Sequence, residues 1–412
     1  MRTLLIRLRT ALVRLGFAIG RRRPIRPHVV LATAHASQVG GNLRYIGDEL
    51  ARRTPPIPAV VLASRATPGI RGKLAGMVQA LRAGYHLATA RLFVVDDYFF
   101  PMYVIRPRRG TARVQTWHAA GAFKKIGYSV LDKSFGADEA LVSRVAIHSN
   151  YDLCLMPSAA ATVHYMEAFR QPRERFSSAL GLPRTDLFFD PAHRTRAEAA
   201  IRARYDLPAG RRVLLYAPTF RGDTMHAARY DDSLDLGVMR RALGDEWVVL
   251  LRLHPFVRRA VEIGPELAPF VRDVSDWPDM NELMFVADLL VTDYSSAIFE
   301  YALLARPMAF LAPDADAYER ERGFYLDFRR DMPGPIFETT EALAAWIAAG
   351  DLDPARSVAF ARESFDVADG HASERFVDRV VVPALRTGRI DVAGLAKAPD
   401  AVDGSKRSEP AR

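Results

Sequence analysis

The chain has 412 residues, 49% of them hydrophobic, with 26 glycines, 26 prolines and a formal net charge of +9. That length and composition exclude a fibrous or mainly disordered chain and leave room for two domains with their own cores. The single cysteine, Cys154, excludes an intramolecular disulfide and argues against a cysteine-based zinc site, so the expected setting is reducing and cytoplasmic.

The charge is uneven. Eight arginines fall between Arg2 and Arg26, and the first acidic residue is Asp48. The opening MRTLLIRLRTALVRLGFAIGRRRPIRP does not read as a signal peptide, because Arg7, Arg9 and Arg14 break its apolar run and no convincing cleavage site follows. It also lacks the roughly 20 mostly apolar residues of a membrane-crossing helix. Wound as a helix, it places Leu4, Leu8, Leu12, Leu15 and Ile19 near one face and Arg7, Arg14 and Arg21 on another. That is the pattern of a helix lying on an anionic membrane surface; the blander readings are a solvated basic arm or a transit-like leader. Residues 1–27 are therefore set apart as a basic amphipathic segment. A nucleic-acid partner is not expected: zinc-finger spacing, an RNA-binding sheet signature and a clear helix-turn-helix are all missing.

From residue 28 the pattern alternates. Strand-like runs at His28–Thr33, Ala59–Ala63, Leu92–Asp96, Arg113–Trp117 and Leu153–Met156 are separated by helical stretches such as Gly69–Thr89 and Ser158–Phe169. A charged, alanine-rich stretch, Asp190–Pro208, reads as a helix with a linker. A second series follows, with strands at Val213–Ala217, Trp247–Leu253, Asp288–Thr292 and Met308–Leu311 and helices at Leu236–Leu243, Met280–Phe285 and Ser296–Leu304. Two alternating series imply an α/β protein with two parallel-sheet domains, at residues 28–190 and 191–390, and a disordered tail at 391–412.

In open parallel sheets, ligands bind beyond the carboxyl ends of the strands. Four strand ends carry polar groups: Trp117–His118, Pro218–Thr219 within LLYAPTFRGD, Arg252 and His254 within WVVLLRLHPF, and Thr292–Asp293 within ADLLVTDYSSAIFEYALL. In the last, Ser295 and Ser296 fall at the first turn of a helix, with Glu300 one turn on. Free backbone amides at a helix start favour anions; the alternative is plain N-capping. A histidine at a strand end is more often structural than not, yet two of them, one per domain, suggest a cleft. One would act as a base, and the other, with Arg252, would hold phosphate charge. The chemistry implied is attack by a hydroxyl on phosphorus. A Walker A sequence and the Rossmann glycine fingerprint are both missing. Asp314-Ala-Asp316 looks like a metal-binding pair but sits in a proline-bounded loop and reads as a turn, so no metal is expected. Asp96–Asp97 follow a strand and are either buried acids or solvated loop residues, of which the loop reading is preferred.

The motifs QTWHAAGAFKK, GLPRTD, LLYAPTFRGD, LRLHP and VTDYSSAIFEYALL, in this order, resemble the CDP-glycerol glycerophosphotransferase family, the polymerases and primases of teichoic acid and related capsule polymers. The similarity covers roughly residues 28–345. It implies a GT-B type fold of two Rossmann-like domains facing a cleft, the second holding the donor. It also implies transfer of a polyol phosphate, glycerol phosphate first and ribitol phosphate as the alternative, from a CDP-polyol to a hydroxyl of a membrane-linked acceptor. CMP would be released, no cofactor is needed, and the enzyme would sit at the cytoplasmic face of the membrane. By motif, the resemblance makes His118 the general base and His254 a second catalytic group beside the diphosphate. It assigns Ala119, Ala120, Gly121, Arg184, Pro218, Thr219, Arg252, Ser295, Ser296 and Glu300 to the donor. One departure matters: Ala119-Ala120-Gly121 stands where many members have Gly-Thr-Pro, so a hydroxyl beside the base is lost and another polyol becomes credible. The rival readings are a sugar-transferring GT-B enzyme, which would release a nucleoside diphosphate, and a non-enzymatic nucleotide-binding scaffold.

Overall fold

A computed structural model describes residues 2–65, 69–131, 133, 139–221, 233–254, 257 and 263–395. The first sheet contains β1 (Arg26–Thr33), β2 (Ala59–Ala63), β3 (Ala90–Val95), β4 (Ala112–Gln115), β5 (Leu153–Leu155) and β6 (Phe176–Ser177), in the order β2-β1-β3-β4-β5-β6. The second contains β7 (Arg212–Ala217), β8 (Trp247–Leu251), β9 (Val271–Asp273), β10 (Leu289–Thr292), β11 (Met308–Leu311) and β12 (Ile336–Phe337), in the order β12-β11-β10-β7-β8-β9. Every pairing is parallel. The central strands are continuous apolar runs because helices cover both sheet faces: all five residues of β8 and all four of β10 are buried.

This order decides where polar groups meet. β1, β3 and β4 are neighbours, so the residues just past Thr33, Val95 and Gln115 share one edge. β10, β7 and β8 are neighbours too, so those past Thr292, Ala217 and Leu251 share another.

The basic opening is a helix, α1 (Arg2–Arg21), and it is part of the folded body. It packs along the helix α3 (Gly69–Thr89). Val13 and Phe17 are buried there, which contributes about 1.5–3 kcal/mol each. Gly16, Gly20 and Gly84 let the backbones touch: a Cβ on Gly84 would run into the Val13 carbonyl. The outer face keeps Leu4, Leu5, Leu8, Leu15 and Ile19 exposed, and α3 adds exposed Ile70, Leu74 and Val78.

Past the second sheet the chain returns to the first. The helices Ala372–Phe376 and Val382–Thr387 flank a π-helical turn at Val377–Val381, and Val382–Thr387 packs against β1 and β3. These residues, assigned by sequence to the second domain, therefore cover the first. The tail begins later than expected, because Val392–Leu395 is helical with Leu395 buried. Residues 396–412 of that tail lie outside the described residues.

Candidate active site

Beyond the first sheet, four titratable groups converge. His118 follows Trp117, whose φ of 54° turns the chain off the strand end. The indole is buried and stacks against the His118 ring with centroids 4.6 Å apart. His118 Nδ1 lies 3.3 Å from the Asp96 carbonyl oxygen and 3.8 Å from Asp97 Oδ1. A carbonyl only accepts, so Nδ1 carries the proton of the neutral ring and Nε2 keeps its lone pair. About half of the His118 side-chain surface stays accessible. Withdrawal from bulk water there lowers its pKa below the ordinary histidine value, against the upward pull of Asp97. A neutral base at neutral pH is the result.

His35, from the loop after β1, places Nδ1 3.1 Å from Asp97 Oδ2 and 2.9 Å from Thr33 Oγ1. Its ring is 5.6 Å from that of His118. The Asp97 hydrogen bond raises the His35 pKa. For Asp97, burial works upward, but the His35 bond, the pull of His118 where that ring is protonated, and the Tyr98 amide win and its pKa is lowered. Asp96 is buried and is pushed up to about 6. Asp96 and Asp97 lie in the bend after β3, as the loop reading has it, but Asp96 is buried there, the alternative reading; His35 has no place among the sequence candidates. The strand-end rule that found His118 applies equally after β1 and β3 and would have found all three.

The segment between the domains closes this loop down. Arg184 donates to the His118 carbonyl and pairs with Glu300 Oε1 at 2.7 Å. Its backbone amide donates to Asn42 Oδ1 at 3.0 Å, and Asn42 Nδ2 donates to the carbonyls of Thr116 and Trp117. Asn42, in α2 (Gly41–Arg52), thus holds the Trp-His turn, a role with no motif to announce it. Glu300 is buried, its second oxygen has no partner, and burial raises its pKa in spite of Arg184.

The second domain supplies its strand ends as expected, though not all are free to bind. Thr219 gives its amide and hydroxyl to Asp293, both at 2.9 Å. Arg221 bridges Asp293 and Asp314, the latter through two bonds of 2.9 and 3.0 Å, over the rings of Tyr294 and Tyr318. Asp314 also accepts from the Tyr294 hydroxyl at 2.7 Å, so its carboxylate is committed to fixing the Pro218–Arg221 turn. Arg252 is buried, its guanidinium bound to the carbonyls of Val274 and Ser275. His254 stacks near Phe220 and its pKa is pushed down to about 4 by burial, with Lys124 and Arg252 adding to the effect. With its pKa pushed down, His254 is neutral near pH 7 in the free protein, so Arg252 is the member of the pair with fixed positive charge. Lys124 crosses from the first domain and donates to the Tyr318 hydroxyl at 2.9 Å.

Ser295 Oγ accepts from the Ala297 amide, while Ser296, at the start of the helix Ala297–Ala302, makes no capping bond with its side chain. Ala120 is buried in the core, and Gly121 lies so close under Phe299 that a Cβ would not fit. The Gly121 carbonyl accepts from the Tyr165 hydroxyl at 3.1 Å. Ala120 and Gly121 therefore shape the loop, and Ala119 is the half-buried member of the three. Among the described residues, no group of three or more His, Cys, Asp or Glu side chains is placed to hold a metal.

The model of the CDP-glycerol:poly(glycerophosphate) glycerophosphotransferase family matches residues 16–382. The chain belongs to that family. It is 38% identical over 352 residues to the teichoic acid ribitol-phosphate primase of Bacillus spizizenii strain W23, covering 85% of this chain and 90% of that relative. It is 34% identical over 379 residues to the poly(ribitol-phosphate) polymerase of the same strain, covering 92% of this chain but 60% of that longer protein. A poly(glycerol phosphate) polymerase of Bacillus subtilis strain 168 is 35% identical over 264 residues, covering 62% of this chain and 34% of that protein. In fold the chain is similar to the wall teichoic acid polymerase TagF, with a TM-score of 0.75 at 22% identity over 93% of this chain and 95% of that one. The family members are polyol-phosphate transferases, and the two-domain fold expected from the motifs is the one observed.

Proposed function

We propose that this enzyme transfers ribitol phosphate from CDP-ribitol to a hydroxyl of a membrane-linked acceptor in teichoic acid synthesis, releasing CMP. The observation that carries the polyol is the likeness to a ribitol-phosphate primase along nearly the whole of both chains. The loss of Gly-Thr-Pro beside the base fits a donor other than the one first expected. Glycerol phosphate is the second reading, supported by the family description and the glycerol-phosphate relative.

In this reading the acceptor hydroxyl enters the cleft beside His118. Its oxygen attacks the phosphorus that bears the polyol, and the proton passes to His118 Nε2. The bond from that phosphorus to the CMP oxygen breaks, and CMP leaves with the bonding pair. Asp97 and the Asp96 carbonyl hold the ring so that Nε2 faces the reacting atoms, and the neutral ring is ready to accept at pH 7. Arg252 and the Ser295–Ser296 turn face the phosphates, with Arg184 and Glu300 at the donor side of the cleft. His254, neutral before the donor arrives, donates a hydrogen bond rather than a full charge.

The membrane side of the proposal rests on α1 and α3. Neither helix carries a single carboxylate, while together they hold Arg7, Arg21, Arg71, Lys73 and Arg82 in addition to their exposed leucines and isoleucines; Arg9 and Arg14 are turned to Phe100 and the Val104 carbonyl of the same domain. Cationic and apolar side chains without acids suit an anionic lipid surface, and among the described residues no helix is long and apolar enough to cross a membrane.

The test is product analysis. Purified protein is given CDP-ribitol or CDP-glycerol with a membrane fraction as acceptor, and CMP release is followed. CMP from CDP-ribitol supports the proposal; CMP from CDP-glycerol alone replaces the polyol; CDP or UDP from a nucleotide sugar overturns the reaction.

A further inference from the structure

The edge of the first sheet opposite the catalytic one has its own opening. A cavity of about 650 Å³ lies where β4 begins, lined by Arg108, Arg109, Arg113, Arg175 and Arg389 and by one carboxylate, Asp152. It opens where β4 begins, whereas His118 follows the far end of that strand.

Three of these arginines are held in place. Arg108 donates to the carbonyls of Arg23 and Ala88 at 2.9 and 3.0 Å. Arg113 donates through Nε to the Asn150 carbonyl at 2.7 Å, and Arg175 donates to the Tyr151 carbonyl. The one carboxylate is consumed: Asp152 pairs with the Arg113 guanidinium and also accepts its backbone amide at 2.9 Å. Arg109 and Arg389 are exposed at the mouth and make no side-chain hydrogen bond or ion pair among the described residues. The wall between them is backbone. Gly110 (φ 85°) and Gly388 (φ 66°) abut so closely that a Cβ on Gly388 would run into the Gly110 carbonyl. This close approach holds the two arginine-bearing loops side by side.

Five guanidiniums against one carboxylate leave a strong local excess of positive charge in the space of one small molecule. Backbone anchoring prevents three of them from swinging apart to relieve it. An anion does relieve it, and the planar fork of arginine matches the oxygens of a phosphate. The volume is that of a small-molecule site. We propose that this cavity is a second anion site that takes a phosphate-ester group, separate from the donor cleft. Two sources supply that chemistry: a soluble phosphate ester, or the headgroup of an anionic phospholipid, since Arg108 ties the cavity to the chain just past α1 and to the last turn of α3.

The experiment is arginine footprinting of the full chain with phenylglyoxal, read by mass spectrometry residue by residue, so that the donor cleft does not confuse it. The probes are glycerol 1-phosphate, phosphatidylglycerol vesicles and phosphatidylcholine vesicles, with exposed Arg241 as the internal control. Labelling of Arg109 and Arg389, but not Arg241, is expected to slow by about five-fold or more, as for guanidiniums engaged by phosphate. Slowing by glycerol 1-phosphate assigns a soluble ester; slowing by phosphatidylglycerol vesicles alone assigns the lipid headgroup. Unchanged labelling with every probe overturns the proposal. The variant Arg109→Glu/Arg389→Glu, altered only at exposed positions, is expected to bind the protecting probe about ten-fold or more weakly while keeping donor turnover. Undiminished binding by the folded variant overturns it as well.

Discussion

Arg184 holds both sides of the cleft at once: one nitrogen donates to the His118 carbonyl of the first domain and another sits 2.7 Å from Glu300 Oε1 of the second. The Glu300 carboxylate is almost fully buried and its other oxygen has no partner. Arg184→Met removes the cation and leaves that carboxylate alone, which is expected to cost about 3–5 kcal/mol in denaturant unfolding. Glu300→Gln is expected to be milder, because burial already pushes Glu300 toward its neutral form. A loss under about 1 kcal/mol in Arg184→Met would show that the pair is not structural.

His118→Ala is expected to leave donor affinity nearly unchanged and to cut turnover by roughly 10²-fold or more. The acid limb of kcat/KM in the wild type is expected below about 6.5, since a base with a lowered pKa stays neutral to lower pH. Asp97→Asn removes the charge that pulls this pKa upward, so the limb is expected to move lower still. A limb that moves to higher pH would contradict the contact between Asp97 and His118.

His254 is expected to titrate near 4 in the free enzyme when its ring is followed by NMR. Saturation with CDP should raise that value, because a nearby diphosphate favours the imidazolium. By linkage, CDP affinity then increases as pH falls through the raised value toward 4 and levels off below it. A titration that ignores CDP would remove His254 from the phosphate site.

His148 is fully buried against Phe169, its rings 4.0 Å apart, and its pKa is pushed down to about 3 by burial. The unfolded chain takes up the proton more readily than the folded one. Stability from keeping this ring neutral is therefore complete above about 6.5 and is lost as pH falls from there toward 3, a loss on the order of several kcal/mol. His148→Phe is expected to move the midpoint of acid unfolding to lower pH. An unmoved midpoint would assign acid sensitivity to other groups.

Leu4→Glu/Leu8→Glu/Leu74→Glu alters only exposed positions, so the melting temperature should hold while co-sedimentation with phosphatidylglycerol vesicles is lost. Retained co-sedimentation would take the membrane surface away from α1 and α3. Deleting α1 is the poorer test, because Val13 and Phe17 are part of the first domain's core.

Both sheets were legible because their central strands are long apolar runs, and Ala59–Ala63 and Met308–Leu311 fall where the pattern put them. β6, β9 and β12 were not. They have two, three and two residues, and Val271–Asp273 carries two charges, so no periodicity develops. His118, Arg252 and the serine pair could be read because each ends a strong strand. Asn42 could not, because it acts through carbonyls of a loop distant in sequence. The lowered pKa of His254 was hidden for a similar reason: it is set by burial and by the charge of Lys124, a residue distant in sequence, as well as by Arg252.

Asp186, two residues beyond Arg184, accepts from the amides of Ala372 and Ser373, both at 2.8 Å. The outbound passage of the chain between the domains is thereby fastened to the return passage, and the Leu180 carbonyl, held by Arg375 at 3.0 Å, adds a second rivet. The two passages are thus tied to each other beside Arg184, so a shift of either one reaches the residue that joins the His118 carbonyl to Glu300.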